Sequence, residues 1–329
     1  MDPPLITYTK NVFLPLTTVC HNRCGYCIFR TPVRDDCIMA PGDVETILAG
    51  GAALGCTEAL FTFGERPGSE PGFTALLARF GYPDILDYLY ELCIRSIDHG
   101  LLPHTNAGIL TAGEMERLRE VNASMGLMLE TTAELPAHRE SPGKKPEVRI
   151  HMIEEAGRLK IPFTTGLLLG IGESSEDREE SLQVIRDLHR TYGHIQEVIL
   201  QNFCAQEGTP MAGAPGIGFD EMCGVIRMAR DILPADVAIQ IPPNLAEAHR
   251  LIPCGVDDLG GISPLTIDYV NPGHPWPELD RLQDIAGDSP LRERLCIYPQ
   301  FIAKGWYHPR LEPLIRRLEQ HIAGARKTP

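Results

Sequence analysis

Long apolar runs are missing from this chain: no stretch approaches the ~18 residues of a membrane span, so no span is expected. Basic charge is short as well. Lys plus Arg number 30 against 44 Asp plus Glu, a formal net charge of -14, whereas a nucleic-acid partner calls for basic stripes that displace counterions. The run Gly143-Lys144-Lys145 is too short to supply one and reads as a solvated loop. Met1-Asp2-Pro3-Pro4 has neither the basic start nor the apolar core of a signal peptide, so a cytoplasmic location is expected. Nucleotide-phosphate signatures are incomplete: Gly170-Ile171-Gly172 lacks the third glycine of a dinucleotide fingerprint and the Gly-Lys-Ser/Thr of a P-loop. No internal repeat or low-complexity linker appears. A disulfide framework is not expected either, because the ten cysteines are spread through 329 residues. Cys56, Cys93, Cys204, Cys223, Cys254 and Cys296 lie mostly among apolar neighbours and read as core thiols.

What is present is a steady alternation of strand and helix patterns. Short apolar runs suited to buried parallel strands fall at 12–19, 59–63, 102–106, 124–130, 163–169, 197–203, 237–241 and 258–262. Amphipathic stretches at 41–54, 85–99, 112–121, 146–159, 176–191 and 219–233 separate most of them. This β-α alternation implies an α/β fold with helices covering a parallel sheet, and eight units suggest closure into a (β/α)8 barrel of the TIM type. The expected organisation is one barrel domain with a core over about 10–270. A proline-rich stretch at 271–277 and two helical segments ending near Ala323 are expected to cap it.

Cys20, Cys24 and Cys27 form a C-x3-C-x2-C run at the end of the first expected strand. Three thiolates on so short a loop can converge on one side of a metal centre, as cysteines holding iron-sulfur clusters do. With no fourth cysteine in register, one iron would stay open to a small molecule. Zinc is the rival, since three soft thiolates beside His21 would also hold it. Zinc modules usually pair half-sites ~12 to 20 residues apart, and Cys37 has no partner at short spacing, so the spacing favours iron and sulfide. His21, Asn22, Arg23 and Gly25 also make the loop polar, unlike the surroundings of inert thiols.

In parallel barrels the chemistry sits where strands end, and polar residues gather at those places. The second strand runs into Gly64-Glu65-Arg66-Pro67, and the fourth ends at Glu130, which could accept hydrogen bonds from ribose hydroxyls or simply pair with Thr131 or Lys144. The fifth runs into Gly170-Ile171-Gly172-Glu173, with Ser174 or Ser175 and Asp177 placed to cap the following helix. The seventh gives Gln240 and Asn244, whose amides suit a neutral substrate rich in hydrogen-bonding groups, although Pro242-Pro243-Asn244 also reads as a rigid turn. His104, Asn106, Gln201, Asn202, Ser263, Asp268 and Asn271 complete a polar set at the expected mouth. His104 is a possible acid or base.

The cysteine spacing, with Tyr26 just before the third cysteine, resembles the radical S-adenosylmethionine (SAM) superfamily. That resemblance implies a 4Fe-4S cluster on Cys20, Cys24 and Cys27, with SAM chelating the open iron. Gly64-Glu65 is similar to the family's Gly-Gly-Glu motif, with Phe63 replacing the first glycine, and Gly166 through Glu173 to its G-x-I-x-G-x-x-E motif, with Leu168 in the isoleucine place. The resemblance thus implies SAM contacts at Tyr26, Gly64, Glu65, Glu130, Gly170 and Glu173. Within the superfamily, Cys24-Gly25-Tyr26-Cys27-Ile28-Phe29-Arg30, Gly64-Glu65-Arg66-Pro67, Gln240-Ile241-Pro242-Pro243-Asn244 and Gly261-Ile262-Ser263-Pro264-Leu265-Thr266 resemble the CofG-type subunits of 7,8-didemethyl-8-hydroxy-5-deazariboflavin (FO) synthase. This implies a radical ring closure of an adduct made by a CofH-type partner, with release of ammonia and with a low-potential electron donor. The organic substrate would meet Gln240, Asn244, Ser263 and Asn271. Other radical SAM barrels, such as CofH-like, biotin synthase-like or hydrogenase-maturation-like enzymes, are the alternatives within the class, and a zinc-binding scaffold is the alternative outside it.

Overall fold

A computed structural model of the chain describes residues 3–325. Met1 and Asp2, on which part of the leader expectation rests, and the last four residues of the expected cap lie outside the described residues. The elements follow in the order β1 (Ile6–Pro15), α1 (Pro41–Ala53), β2 (Glu58–Thr62), α2 (Phe73–Leu77), α3 (Ile85–His99), β3 (Leu102–Asn106), α4 (Ala112–Leu118), β4 (Ser124–Gly126), α5 (Pro146–Arg158) and β5 (Phe163–Leu169). After these come α6 (Ser175–Tyr192), β6 (Ile195–Asn202), α7 (Phe219–Ile232), β7 (Ala238–Gln240), α8 (Ala248–Leu251), β8 (Asp258–Ile262), α9 (Leu282–Ala286), β9 (Leu291–Glu293), α10 (Pro299–Ala303) and α11 (Glu312–Ala325).

Strands β1 to β8 pair in parallel with their neighbours in sequence, and β1 pairs with both β8 and β2, which closes the ring. The register runs from Asn11↔Glu58 to Pro15↔Thr62 between β1 and β2. Outward side chains of the strands pack under the buried stripes of the helices, among them Val44 and Leu48 of α1, Leu89 and Leu92 of α3, Ile153 and Ala156 of α5, and Val225 and Ile226 of α7. Each large apolar side chain so buried contributes roughly 1.5 to 3 kcal/mol, so the helical shell holds the ring shut. Helix starts follow local chemistry: Asp84 accepts from the Leu86 amide at 2.7 Å, and Thr111 with Glu114 and Ser174 with Asp177 make reciprocal capping boxes. No helix among the described residues is long and apolar enough to cross a membrane.

The observed strands match the expected ones with three differences. Strand β1 begins at Ile6, well before the apolar run, because Thr9 and Asn11 carry polar side chains that a parallel strand in a barrel can turn inward. Strand β4 stops at Gly126, and the chain regains a single bridge at Glu130↔Leu167, where Glu130 adopts a left-handed φ of 68°. A ninth strand, unforeseen, pairs β9 with the first residues of β1.

The tail visits both ends of the barrel. Residues 268–276 contribute Asp268, Val270, Asn271 and Trp276 to the cavity inside the ring, from the side where the strands end. Residues 291–298 then reach the opposite end: β9 lies beside Ile6 to Tyr8, and Ser124 at the start of β4 donates to the Cys296 carbonyl at 2.8 Å. Leu295, Ile297, Phe301, Leu311 and Ile315 form a second apolar cluster with Leu102 and Ala123 there. Cys223 and Cys254 correct the reading of them as core thiols, since α7 and the turn after α8 bring them together as a disulfide with a Cα–Cα distance of 5.5 Å.

Candidate active site

The cysteine loop leaves the end of β1 and is fastened by its backbone to the end of β2. Gly64 donates to the Thr17 carbonyl at 3.0 Å, and His21 donates to the Glu65 carbonyl at 2.8 Å. A side chain at Gly64 has no room, because a Cβ there would stand 2.0 Å from the Val19 carbonyl oxygen and 2.7 Å from Cys20 Cβ. A second segment, 137–143, grips the loop from the other side: Gly25 donates to the Ala137 carbonyl at 2.8 Å and Gly143 to Asn22 Oδ1 at 3.0 Å.

Cys20, Cys24 and Cys27 line one cavity together with Tyr26, Gly64, Glu65, Glu130, Lys144 and Arg149. Among the described residues no trio of His, Cys, Asp or Glu is drawn in as tightly as a single metal ion requires; the three sulfurs share a chamber. The Glu65 amide donates to Cys20 Sγ at 3.2 Å and Ser141 Oγ to Cys24 Sγ at 3.3 Å. Donors aimed at sulfur suit anionic ligands. Burial pushes the Cys20 thiol up to about 11 and raises Cys24 as well, so the thiolate form depends on the positive charge of a bound metal. Donor set and surroundings therefore fit an iron-sulfur cluster.

Three of the expected cofactor residues form the polar wall of this chamber. Tyr26 donates its hydroxyl to Glu130, which also pairs with Lys144, with His138 Nε2 at 3.1 Å and with Arg149 at 3.8 Å. Burial alone would raise the Glu130 carboxyl, but Lys144, His138 and Arg149 hold it well below the usual carboxylate range. Glu65 lies under Gly108 and Gly143, accepts from the Ile109 amide at 3.3 Å and stands 3.6 Å from Arg149. Arg149, unforeseen, thus bridges both acids; an arginine on the buried face of α5 was its only sequence signal.

Gly170 and Glu173 do not reach this chamber. Glu173 accepts from the amides of Gly170 and Ile171 at 2.7 and 2.8 Å and pairs with Arg178 at 2.8 Å. Its carboxylate folds back on its own turn, which Gly170 enters with a φ of 94° against Ile217. Leu168, Ile171 and Phe203 pack beside it with Tyr26 against them, an apolar bed next to the cysteine loop.

A second cavity of about 190 Å³ fills the barrel interior. Gln240 and Asn271 line it, as do His104, Asn106, Gln201 and Asp268 from the expected polar set. Asn244 and Ser263 do not. Asn244 donates to Asp268 at 2.9 Å and to the His274 carbonyl at 3.0 Å, strapping the tail across the mouth, while Ser263 closes a turn with Thr266. Asn202 likewise serves the backbone, donating to the Leu245 carbonyl at 2.7 Å. Thr62, Asn106 and Met128 line both cavities, so the chamber and the barrel interior adjoin at that point.

The cavity floor carries charges that the sequence reading did not single out. Arg294 donates to Glu197 at 2.7 Å and to both oxygens of Asp258 at 2.6 and 2.8 Å, and stacks over Tyr298 at 4.3 Å. Thr164 and Tyr298 also donate to Glu197. His104 is pushed down to about 3 by burial and by Arg294, and so stays neutral. Glu58, 5% exposed, completes the floor.

Comparison with known proteins places this geometry. Residues 14–185 match the family model described as the radical SAM superfamily. Proteins named 7,8-didemethyl-8-hydroxy-5-deazariboflavin synthase are 71% identical in Methanoculleus marisnigri, over 98% of both chains, and 63% identical in Methanoregula boonei, over 100% of both. The Archaeoglobus fulgidus protein of that name is 52% identical over 95% of this chain and 96% of its own. Among solved structures, the FeFe-hydrogenase maturase HydG from Carboxydothermus hydrogenoformans superposes with a TM-score of 0.66 at 16% identity, covering 96% of this chain and 82% of that one. Methylornithine synthase gives a TM-score of 0.61 at 16% identity, covering 94% and 86%. These likenesses show a shared fold, and the family match sets the zinc scaffold aside. With its cysteine-lined chamber opening on a filled parallel barrel, the chain belongs to the radical SAM superfamily and, within it, to the family of the 7,8-didemethyl-8-hydroxy-5-deazariboflavin synthases.

Proposed function

We propose that the chain performs the ring closure that forms FO. Its substrate is 5-amino-5-(4-hydroxybenzyl)-6-(D-ribitylimino)-5,6-dihydrouracil, made by a CofH-type subunit, and ammonia is released. The observation that carries this reading is the junction of the two cavities at Thr62, Asn106 and Met128, in a chain 71% identical to a synthase of that name. An organic molecule in the barrel would abut whatever the three cysteines hold.

The 4Fe-4S cluster and SAM of this superfamily supply, when bound, the means to remove a hydrogen atom from an unactivated carbon. Cys20, Cys24 and Cys27 are the residues to hold the cluster, with the Glu65 amide and Ser141 hydroxyl supporting the sulfurs of Cys20 and Cys24. Tyr26, Gly64, Glu65 and Glu130 frame the SAM side. In Glu65 and Glu130 the acids are charge-balanced through Arg149, so they orient the chamber and need not exchange protons. Gly170 and Glu173 shape the turn on which an adenine could pack. In the barrel, Gln240 and Asn271 meet the substrate, and Asn244 and Ser263 hold the strap and turn that enclose it. Orienting the reactants and excluding water are the protein's main contributions in such chemistry. A low-potential electron donor, a cytoplasmic location and action as one catalytic unit belong to the same reading.

Anaerobic protein reconstituted with iron and sulfide, and given SAM, a reductant and the CofH product, should form fluorescent FO. SAM cleavage with the adduct left intact would overturn the proposal.

A further inference from the structure

Two polar atoms that no protein group satisfies are buried at the closed end of the barrel cavity. They are Asn11 Oδ1 and Glu58 Oε2. A buried polar atom left unpaired costs roughly 1 to 3 kcal/mol, so a pair on one cavity wall points to a ligand that completes them. Asn11 and Glu58 face each other in the β1–β2 register. Gln240 approaches from β7, and β8 runs between β7 and β1. There the chain has two successive glycines, and both are occupied space: a Cβ at Gly260 would stand 2.2 Å from Gln240 Nε2, and one at Gly261 2.2 Å from Asn11 Nδ2. Gln240 and Asn11 therefore lie across β8 in a notch that only glycine leaves open, and the wall reads Gln240, Asn11, Glu58 in order.

Depth and hydrogen-bond type decide what this wall can take. Glu58 stands at the start of β2 and Thr62, where the two cavities meet, at its end. Four residues at ~3.3 Å each put them roughly 13 Å apart. That is too far for Glu58 to serve the carbon that loses hydrogen beside the cofactor, and suited to the remote end of an elongated substrate. An imide edge presents carbonyl, N–H and carbonyl, and needs a donor, an acceptor and a donor. Gln240 Nε2 and Asn11 Oδ1 supply the first two. Glu58 supplies the third in its protonated form.

We infer that Asn11, Glu58 and Gln240 form a subsite for a planar imide edge, the pyrimidinedione end of the organic substrate, at the closed end of the barrel. The inference rests on the reading that this substrate and its product carry that ring. The surroundings favour the protonated form of Glu58 over the carboxylate more than water does. Arg294, the cation facing it from the tail, is committed to Glu197 of β6 and Asp258 of β8. Burial and those two acids push Glu58 up to about 7 against the pull of Arg294. His104 is neutral, and burial holds the Cys296 thiol in its protonated form. Burial raises Glu197 too, opposed by Arg294 and by the hydrogen bonds that Thr164 and Tyr298 donate to it.

The test is fluorescence titration of the full-length, cluster-loaded protein with FO and with FO methylated on the imide nitrogen. The wild type should bind the methylated compound roughly tenfold more weakly, the loss of one hydrogen bond. Asn11→Ala should weaken FO by a similar factor and leave the methylated compound unaffected. Wild-type affinity for FO should fall as pH rises through about 7, because a carboxylate cannot donate. Glu58→Gln, a neutral donor at every pH, should keep the affinity and flatten the profile, while Glu58→Ala loses the affinity. Iron content and melting temperature report whether each variant is folded, and the methylated compound tests the wild type without any variant. Equal affinity for the two compounds overturns the subsite even if FO is made. A wild type that neither binds FO nor forms it from the adduct overturns both the subsite and the function it rests on.

Discussion

Replacing Arg294 by Met removes the one guanidinium that Glu197 and Asp258 share, and both acids are nearly inaccessible to solvent, at 5% and 0% exposure. Methionine keeps the length of the stem and packs on Tyr298, so the loss is one of charge and hydrogen bonds rather than of volume. Breaking a buried ion pair from one side costs about 3 to 5 kcal/mol. For a chain of this size each kcal/mol lowers the melting temperature by roughly 2 °C, so a drop of about 6 to 10 °C is expected in calorimetry at pH 8. The sign with pH follows from the orphaned acids. Burial already raises Glu197, and loss of the cation raises it further, so the penalty is present at alkaline pH and fades as pH falls and Glu197 protonates. The melting temperatures of wild type and variant should thus converge toward about pH 5. Adding Glu197→Gln and Asp258→Asn to Arg294→Met should recover much of the loss at pH 8. An Arg294→Met protein that melts with the wild type across the whole range would refute the argument that this cation neutralises the barrel floor.

Alanine at Cys20, Cys24 or Cys27 should abolish turnover, and a triple variant that kept native iron and sulfide after anaerobic reconstitution would refute their assignment as ligands. Gly64→Ala places a Cβ 2.0 Å from the Val19 carbonyl oxygen; the displaced cysteine loop should take up much less iron while circular dichroism of the barrel is kept, and normal iron content would show that the loop can shift. Asn244→Ala frees the strap at Asp268 and the His274 carbonyl, so KM for the organic substrate should rise more than the dissociation constant for SAM, and equal rises in both would speak against a strap. The Cys223–Cys254 bridge closes a loop over a sequence separation of 31, worth roughly 3 to 4 kcal/mol by chain entropy; a reductant should lower the melting temperature of the wild type and leave Cys223→Ser unmoved.

The barrel was legible because its outward strand faces are buried under helices, which leaves short apolar runs at regular intervals. What faces inward was harder to read. Thr9 and Asn11 made the first half of β1 look like a loop, although they turn polar groups toward a polar cavity. Glu58 fell just outside the expected second strand for the same reason. Glu173, Asn244 and Ser263 follow strand ends, but their hydrogen bonds go to their own turns or to the tail, and that choice depends on distances no spacing encodes. Arg294 and the partner cysteines of the disulfide are long-range matters: the first meets acids of β6 and β8, and the second spans α7, β7 and α8.

The tail also sets an order of events during synthesis. Domains of this kind fold as the chain emerges, with N-terminal parts available first. All eight ring strands and the cysteine loop are complete by Ile262, yet the cation for Glu197 and Asp258 arrives only with residue 294, and β1 gains its last neighbour only with β9. A nascent chain stopped between those points carries a ring with a wet, negatively charged base and one unsealed strand edge. Arrival of residue 294, rather than completion of the eighth strand, is thus the point from which the interior can dry.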